Sequence, residues 1–363
     1  MSRSIWLGVA VSLIFACGSP GPEAASAAEV SILETSERIE GRDGGVSAVA
    51  WDRSIWVYGD TVLTQADARD TNWHHNSFSM TTDLDASDGI TGFIEPLDSA
   101  GAPLHLIAPS PDEQAFNDAH AGDPCEESPC GARWAVWPGA PIFDAARDRA
   151  LIFYGLIYAE PGPFNFEGVG TSVAIWSDPD GLPERPVIDP DAEHPDLLFH
   201  AGEPGWGAAA AIVDDQLYNF ACDGDDGPGH SCRLARVDLD ELLDRAAWRY
   251  FDGEGWSADM GEVAMLFEGA PILSVAWSEH LGAWLVVYSE PFSSKVRGRT
   301  APELSGPWSQ EQTLYDAGED TPYDAVHHPE YDEDGGRVIH VTYSRPTTGW
   351  FGTEFPLVRI ELE

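Results

Sequence analysis

From Val46 to Trp51 the chain is apolar and rich in β-branched residues, breaks at the polar corner Asp52-Arg53-Ser54, and resumes as Ile55 to Tyr58. The same outline returns at Pro141 to Tyr154, Ala211 to Phe220, Val275 to Tyr288 and Glu330 to Tyr343. Each copy reads as a hairpin: an apolar strand, a polar corner, and a second strand that ends on or near an aromatic residue. Repetition of this kind predicts an all-β chain, a five-bladed β-propeller whose first strands line a central channel. The copies lie farther apart than the about 40 to 50 residues of a compact blade repeat, so several blades must carry long loops. The largest insert runs from Asp85 to Ala132. A six-bladed wheel follows instead if Ile90 to Ile107 is more than the outer strands of the first blade. Only Leu239 to Trp248 has helical spacing. Val30 to Ile32 and Leu357 to Leu362 are both strand-like, and together they can complete one blade.

Outside this pattern the chain opens with Met-Ser-Arg3 and an apolar run from Ile5 to Ala16, which is an export signal in form and too short for a mature transmembrane helix. Ile14-Phe15-Ala16-Cys17 resembles a bacterial lipobox and makes Cys17 the expected lipidated residue; secretion with cleavage between Ala25 and Ala28 is the alternative. The domains expected are a signal peptide over 1–16, a lipidated cysteine and flexible tether over 17–28, and a single propeller over 29–363. The four other cysteines, Cys125, Cys130, Cys222 and Cys232, are an even number in an exported chain, and local pairing as Cys125 with Cys130 and Cys222 with Cys232 is simplest. Their spacing does not fit a zinc knuckle.

The net charge is −43, with 62 acidic against 19 basic side chains. A surface of that sign repels phosphate backbones, which excludes nucleic acid as a partner. Neither His-Glu-x-x-His, Gly-x-Ser-x-Gly nor a phosphate loop occurs, so zinc proteases, serine hydrolases and nucleotide enzymes are poor readings. No metal site or cofactor is expected, apart from calcium as the cation that the acidic loop Asp223-Gly-Asp-Asp-Gly would take. A monomer on the cell envelope, anchored by lipid or secreted, is the expected form.

Candidate chemistry lies at the ends of the first hairpin. Asp43 precedes its first strand and Asp60 follows its second, so the turn returns both to one edge of the sheet. Strands about 5 Å apart bring such side chains into the range of paired carboxylates that hydrolyse glycosidic bonds. Residues just before the other inner strands reach the same mouth: Trp134 with Trp137, Trp206, Glu262, and Tyr323 with Asp324. Acids mixed with aromatic rings suit sugars, through stacking on a ring face and hydrogen bonds from hydroxyls. His75 and His327, one from each histidine doublet, together with Glu290 and Arg299, complete the candidates for substrate contact.

Gly41-Arg-Asp43-Gly-Gly and Tyr58-Gly-Asp60-Thr61 stand in the order and spacing of motifs in a bacterial family, domain of unknown function 4185. Asn76-Ser77 before Thr82-Asp83, Arg299-Thr-Ala-Pro302 with Gly306-Pro-Trp-Ser309, and Tyr323-Asp-Ala-Val-His-His-Pro329 with Val341-Thr-Tyr-Ser344 extend the match, and the chain resembles this family across most of its length. The resemblance implies a five-bladed propeller of endo-D-arabinanase type, with Asp43 and Asp60 as catalytic pair and Asn76 near substrate. One aspartate would protonate the leaving oxygen while the other acts as nucleophile or activates water. The segment Gln65 to His75 and the Cys125–Cys130 insert have no counterpart in the family pattern. The expected function is hydrolysis of an exported or cell-wall polysaccharide; the alternative is a propeller that binds glycans or proteins without cleaving them.

Overall fold

The computed structural model describes residues 21–67, 71–162, 164–224, 229–349 and 351–363. Cys17, the export signal and most of the acidic loop after Gly224 lie outside the described residues.

Strand β1 (Ala24–Ile32) comes first in the chain and belongs to the last blade. Blade one is β2 (Ile39–Ala50) and β3 (Arg53–Leu63), with β4 (Trp73–His74) and β5 (Ser77–Thr81) following one another along the far edge of β3. A long insert containing α1 (Pro111–His120) leads to blade two: β6 (Arg133–Asp144), β7 (Arg149–Ala159), β8 (Phe166–Trp176) and β9 (Phe199–His200). Blade three is β10 (Trp206–Val213), β11 (Gln216–Gly224), β12 (His230–Asp238), β13 (Arg249–Phe251) and β14 (Trp256–Ser257), with β15 (Phe267–Gly269) also on β12. Blade four is β16 (Ser274–Ser278), β17 (Ala283–Ser289), β18 (Lys295–Ala301) and β19 (Gln312–Asp316). Blade five has β20 (Tyr323–His327), β21 (Val338–Pro346) with β22 (Thr353–Glu354), then β23 (Pro356–Leu362), and β1 on its outer edge.

All five sheets are antiparallel, and their first strands touch in the cycle β2, β6, β10, β16, β20 and back to β2, which closes the five-bladed propeller. Such a sheet has neighbours on both faces. That is why its second strands are continuous apolar runs rather than alternating ones. In β3, Ile55 and Val57 pack toward blade two, whereas Trp56 and Tyr58 pack toward blade five. In β7, Ile152 and Tyr154 face blade one, and Leu151 and Phe153 face blade three. The core is therefore a ring of layers between blades rather than a single centre.

Several expectations change in detail. Leu239 to Trp248 is not an α-helix but a set of turns ending in a 3-10 segment, Arg245–Ala247. Its helical spacing arises because successive turns put Leu239, Leu242 and Trp248 into the core of blade three. The α-helix is α1 instead, started by Ser110, with Pro111 in its first turn and a reciprocal bond pair between Ser110 and Glu113. Ile90 to Ile107 forms only isolated bridges, Met80 with Ile94 and Leu97 with Pro103, and makes no sixth blade. The fifth hairpin begins earlier than read, with β20 preceding a 3-10 turn at Pro329–Tyr331. Closure by the two chain ends holds, but β1 starts at Ala24, so the strand takes in residues assigned to the tether.

Both disulfides pair locally, Cys125 with Cys130 and Cys222 with Cys232, at Cα separations of 5.3 and 4.0 Å. Cys222 and Cys232 are directly opposed on β11 and β12. Two such bonds indicate an oxidising setting, outside the cell or periplasmic. No described helix is long and apolar enough to cross a membrane.

Candidate active site

The ladder between β2 and β3 is interrupted where the candidate acids stand. Arg42 pairs with Thr61 and Gly44 with Tyr58, leaving Asp43 alone opposite Gly59 and Asp60. A second slip follows at Gly45, and Gly44 and Gly45 both take left-handed backbone, with φ of 81° and 88°. Bulges of this kind turn side chains away from the regular pleat. Here they leave both carboxylates half-buried beside one another, off the regular ladder of the innermost strand. The Asp60 N–H donates to the Asp43 carboxylate. Gly59 makes the approach feasible, because a Cβ at that position would collide with Asp43 Oδ1.

Blade five supplies a third acid. Asp324, itself in a slip of the β20 ladder and left-handed at φ 53°, is buried and accepts the Gly44 N–H at Oδ2 over 3.1 Å. Tyr323 beside it is 53 % exposed, and its phenol is held protonated by the charges of Asp324, Asp43 and Asp60 together with burial.

The carboxylates differ in their surroundings. Burial raises the proton affinity of Asp43 well above the usual carboxylate range, and the charges of Asp60 and Asp324 add to this. Burial also raises Asp60, but the indoles of Trp73 and Trp137 and the charge of Arg133 pull it back. Trp137 Nε1 donates to Asp60 Oδ1 over 3.1 Å. Asp324 is pushed up to about 7 by burial, opposed only by its bond from Gly44. Three neighbouring, poorly hydrated acids cannot all ionise at neutral pH, and Asp60 is the one that also has a cation, Arg133, beside it.

Aromatic rings flank Asp60 on both sides. Trp137 lies edge-on to Phe166 at 4.9 Å, and Trp73 lies 4.7 Å from Phe351. Arg133 sits over the Trp73 ring at 5.5 Å. Trp73, Arg133 and Phe166 were not singled out from sequence. Their signal is positional, since each stands at a strand start on the side of the sheet where β2 begins.

The other candidates divide differently. His75 is buried, stacks on His105 at 4.4 Å, and accepts the Val136 N–H at Nδ1 over 3.1 Å. Burial lowers its proton affinity to about 3, so it is a neutral packing group. Asn76 is fully buried and spends its amide on Ile107 and Val136, joining blade one to the insert and to blade two. Trp206 is also buried, between Phe199 and Tyr250, and offers no face to a ligand. Trp134 packs against Phe116 of α1, Tyr158 and His194. Glu290 pairs with Arg297 at 2.7 Å, and Arg299 with Glu311 at 3.2 Å, within blade four. His327 is buried against Asp332 at 2.6 Å. Glu262 lies exposed in a 3-10 turn beside β13, away from the mouth. Among the described residues no group of three His, Cys, Asp or Glu side chains is arranged to hold a metal ion. A wide hollow lined by Asp244, Arg245, Tyr250 and Met260 lies on the outer strands of blade three, and its Arg245 is paired with Glu203.

Solved structures with this fold include a protein of Bacteroides ovatus, at 14 % identity and a TM-score of 0.58, covering 88 % of this chain and 85 % of that one. An N-acetylgalactosamine deacetylase of F. plautii, in complex with blood group B trisaccharide, aligns at 12 % identity and TM-score 0.51 over 95 % of both chains. A β-xylosidase aligns at 12 % and 0.50, over 92 % of this chain and 98 % of that one. At these identities the likeness is one of fold. No curated protein matches the chain by sequence. The family match covers the end of blade two through most of blade five, and so includes Tyr323 and Asp324 but not Asp43 or Asp60. Over residues 187–348 the chain matches the family described as Domain of unknown function (DUF4185), the family that its motifs resemble.

Proposed function

We propose that the protein is a glycoside hydrolase acting on an exported or cell-wall polysaccharide, with an arabinan of the endo-D-arabinanase type as the first substrate to test. The observation that carries this reading is the bulge that stands Asp43 opposite Asp60 in the two inner strands of blade one, in surroundings that separate their proton affinities. Asp43 keeps its proton and gives it to the departing glycosidic oxygen. Asp60, held by Trp137 and faced by Arg133, supplies the ionised carboxylate, as nucleophile at the anomeric carbon or as base to a water. Trp137 with Phe166, Trp73 with Phe351, and the exposed Tyr323 offer ring faces on which sugars stack. Among proteins of this fold, one was solved with a trisaccharide bound and another is a xylosidase, which is consistent with a carbohydrate partner.

The test is a panel of polysaccharides that includes arabinan and arabinogalactan, read by release of reducing ends. On whichever polymer the parent cleaves, Asp43→Asn and Asp60→Asn variants should lose activity by about 100-fold or more, with unchanged circular dichroism. Full activity in both variants overturns the assignment. Glycan binding without cleavage by the parent supports the non-catalytic propeller instead. Attachment of lipid at Cys17 belongs to the same proposal, and loss of fatty-acid labelling in Cys17→Ser tests it.

A further inference from the structure

We infer that Asp324 is a positioning residue for Asp43: from the last blade it holds the Gly44 N–H, fixing the bulge that aims Asp43, and, once ionised, it adds a negative charge to that of Asp60 beside the protonated Asp43. This rests on Asp43 being the proton donor. Three observations lead to it. Asp324 is only 5 % exposed, so it does not meet a sugar, although its sequence position before an inner strand suggested that it would. Its carboxylate is spent on the residue next to Asp43 rather than on a cation. It stands in the slip of the β20 ladder, left-handed at φ 53° inside a strand, so the chain turns here and its carboxylate reaches blade one.

The groups around the site make the charge effect specific. Asp43 faces Asp60 from β3 and Asp324 from β20, along with the backbone N–H groups of Asp60 and of its own residue. Asp324 faces the Gly44 N–H and lies beside the Tyr323 phenol. The cation that opposes burial at this site, Arg133, acts on Asp60. Negative charge on Asp324 therefore makes the anion of Asp43 less favourable, and Asp43 keeps its proton until a leaving oxygen takes it. Once the glycosidic bond has broken, the proton on Asp43 is restored from water.

Two substitutions separate position from charge. Asp324→Asn keeps an oxygen for the Gly44 N–H and removes the charge, whereas Asp324→Ala removes both. A donor is active while protonated, so its loss of activity lies on the alkaline side. In Asp324→Asn the alkaline limb of kcat/KM should move to lower pH, because the anion of Asp43 has become easier to form. In Asp324→Ala the limb should move the same way and, in addition, kcat on the pH plateau should fall by about 100-fold with KM little changed, since Asp43 is no longer aimed. Carbon-13 titration of the Asp43 carboxyl, assigned by its absence in Asp43→Asn, should move to lower pH in Asp324→Asn. If Asp324→Asn leaves both the limb and the titration where the parent has them, the inference fails. If the parent cleaves nothing in the panel, the hydrolase reading alone is lost, and the titration still decides the role of Asp324. Should Asp324→Ala not fold, Asp324→Asn carries the test.

Discussion

At the residue scale, the site depends on an atom that is missing. Gly59 lies where a side chain would collide with Asp43 Oδ1, and its φ is not left-handed, so alanine is compatible with its backbone. Gly59→Ala should therefore fold, displace the Asp43 carboxylate, and lower hydrolysis by about 100-fold, the usual penalty for a misplacement near 1 Å. A crystal structure and a rate on the cleaved polymer check this together; unchanged activity with an unmoved Asp43 would sink it. Gly44 and Gly45 differ from Gly59 in holding φ of 81° and 88°, where added side chains strain the backbone itself. Gly59 is thus the glycine whose substitution reports on the carboxylate pair rather than on the fold of the bulge.

At the level of elements, α1 is held to the wheel by the bonds of Asn117 to the Trp134 backbone and by a buried polar knot. Glu113 caps Ser110 and also receives both terminal nitrogens of Arg185, at 2.6 and 2.8 Å, while Arg185 pairs in turn with Asp196 and Tyr154 bonds Asp196 at 2.8 Å. The Arg185 and Glu113 side chains are 8 % and 9 % exposed, so Glu113→Ala would leave the buried guanidinium with Asp196 as its one carboxylate partner and cost about 2 kcal/mol. Glu113→Gln keeps the reciprocal cap and should lose less. Urea denaturation of both variants decides the matter, and equal midpoints would mean that the knot contributes nothing.

The same element illustrates what the sequence discloses. Hairpins were legible because their second strands are apolar on both faces, a run that only a sheet between two sheets requires. Helix α1 was overlooked although Ser110, Pro111 and Glu113 spell its start, because its charged surface lacks an apolar stripe. Leu239 to Trp248 misled for the opposite reason, since turns can bury residues at helical spacing. Asp43 and Asp60 could be read as a pair from hairpin geometry. Asp324 as their neighbour could not, since its contact with Gly44 spans 280 residues and exists only once the wheel closes.

For the whole molecule, charge outweighs every other surface property. The excess of acids gives −43, and the few cations are largely engaged in pairs inside or between blades: Arg147 with Asp240, Arg337 with Glu361, Arg345 with Glu29 and Glu354. What remains on the surface is uncompensated carboxylate. Self-repulsion of that kind opposes the compact state, and it is screened when the Debye length falls from about 10 Å at 0.1 M salt to about 3 Å at 1 M. Melting temperature at pH 8 should therefore rise with sodium chloride. The rise should shrink toward pH 4, where exposed acids take up protons and the repulsion fades. The opposing contribution is the loss of the ion pairs themselves to screening. Exposed pairs contribute about 1 kcal/mol or less each, too little to offset an excess of this size. A melting temperature that falls with salt at pH 8 would mean that the pairs between blades, rather than the uncompensated surface, govern the stability of the wheel.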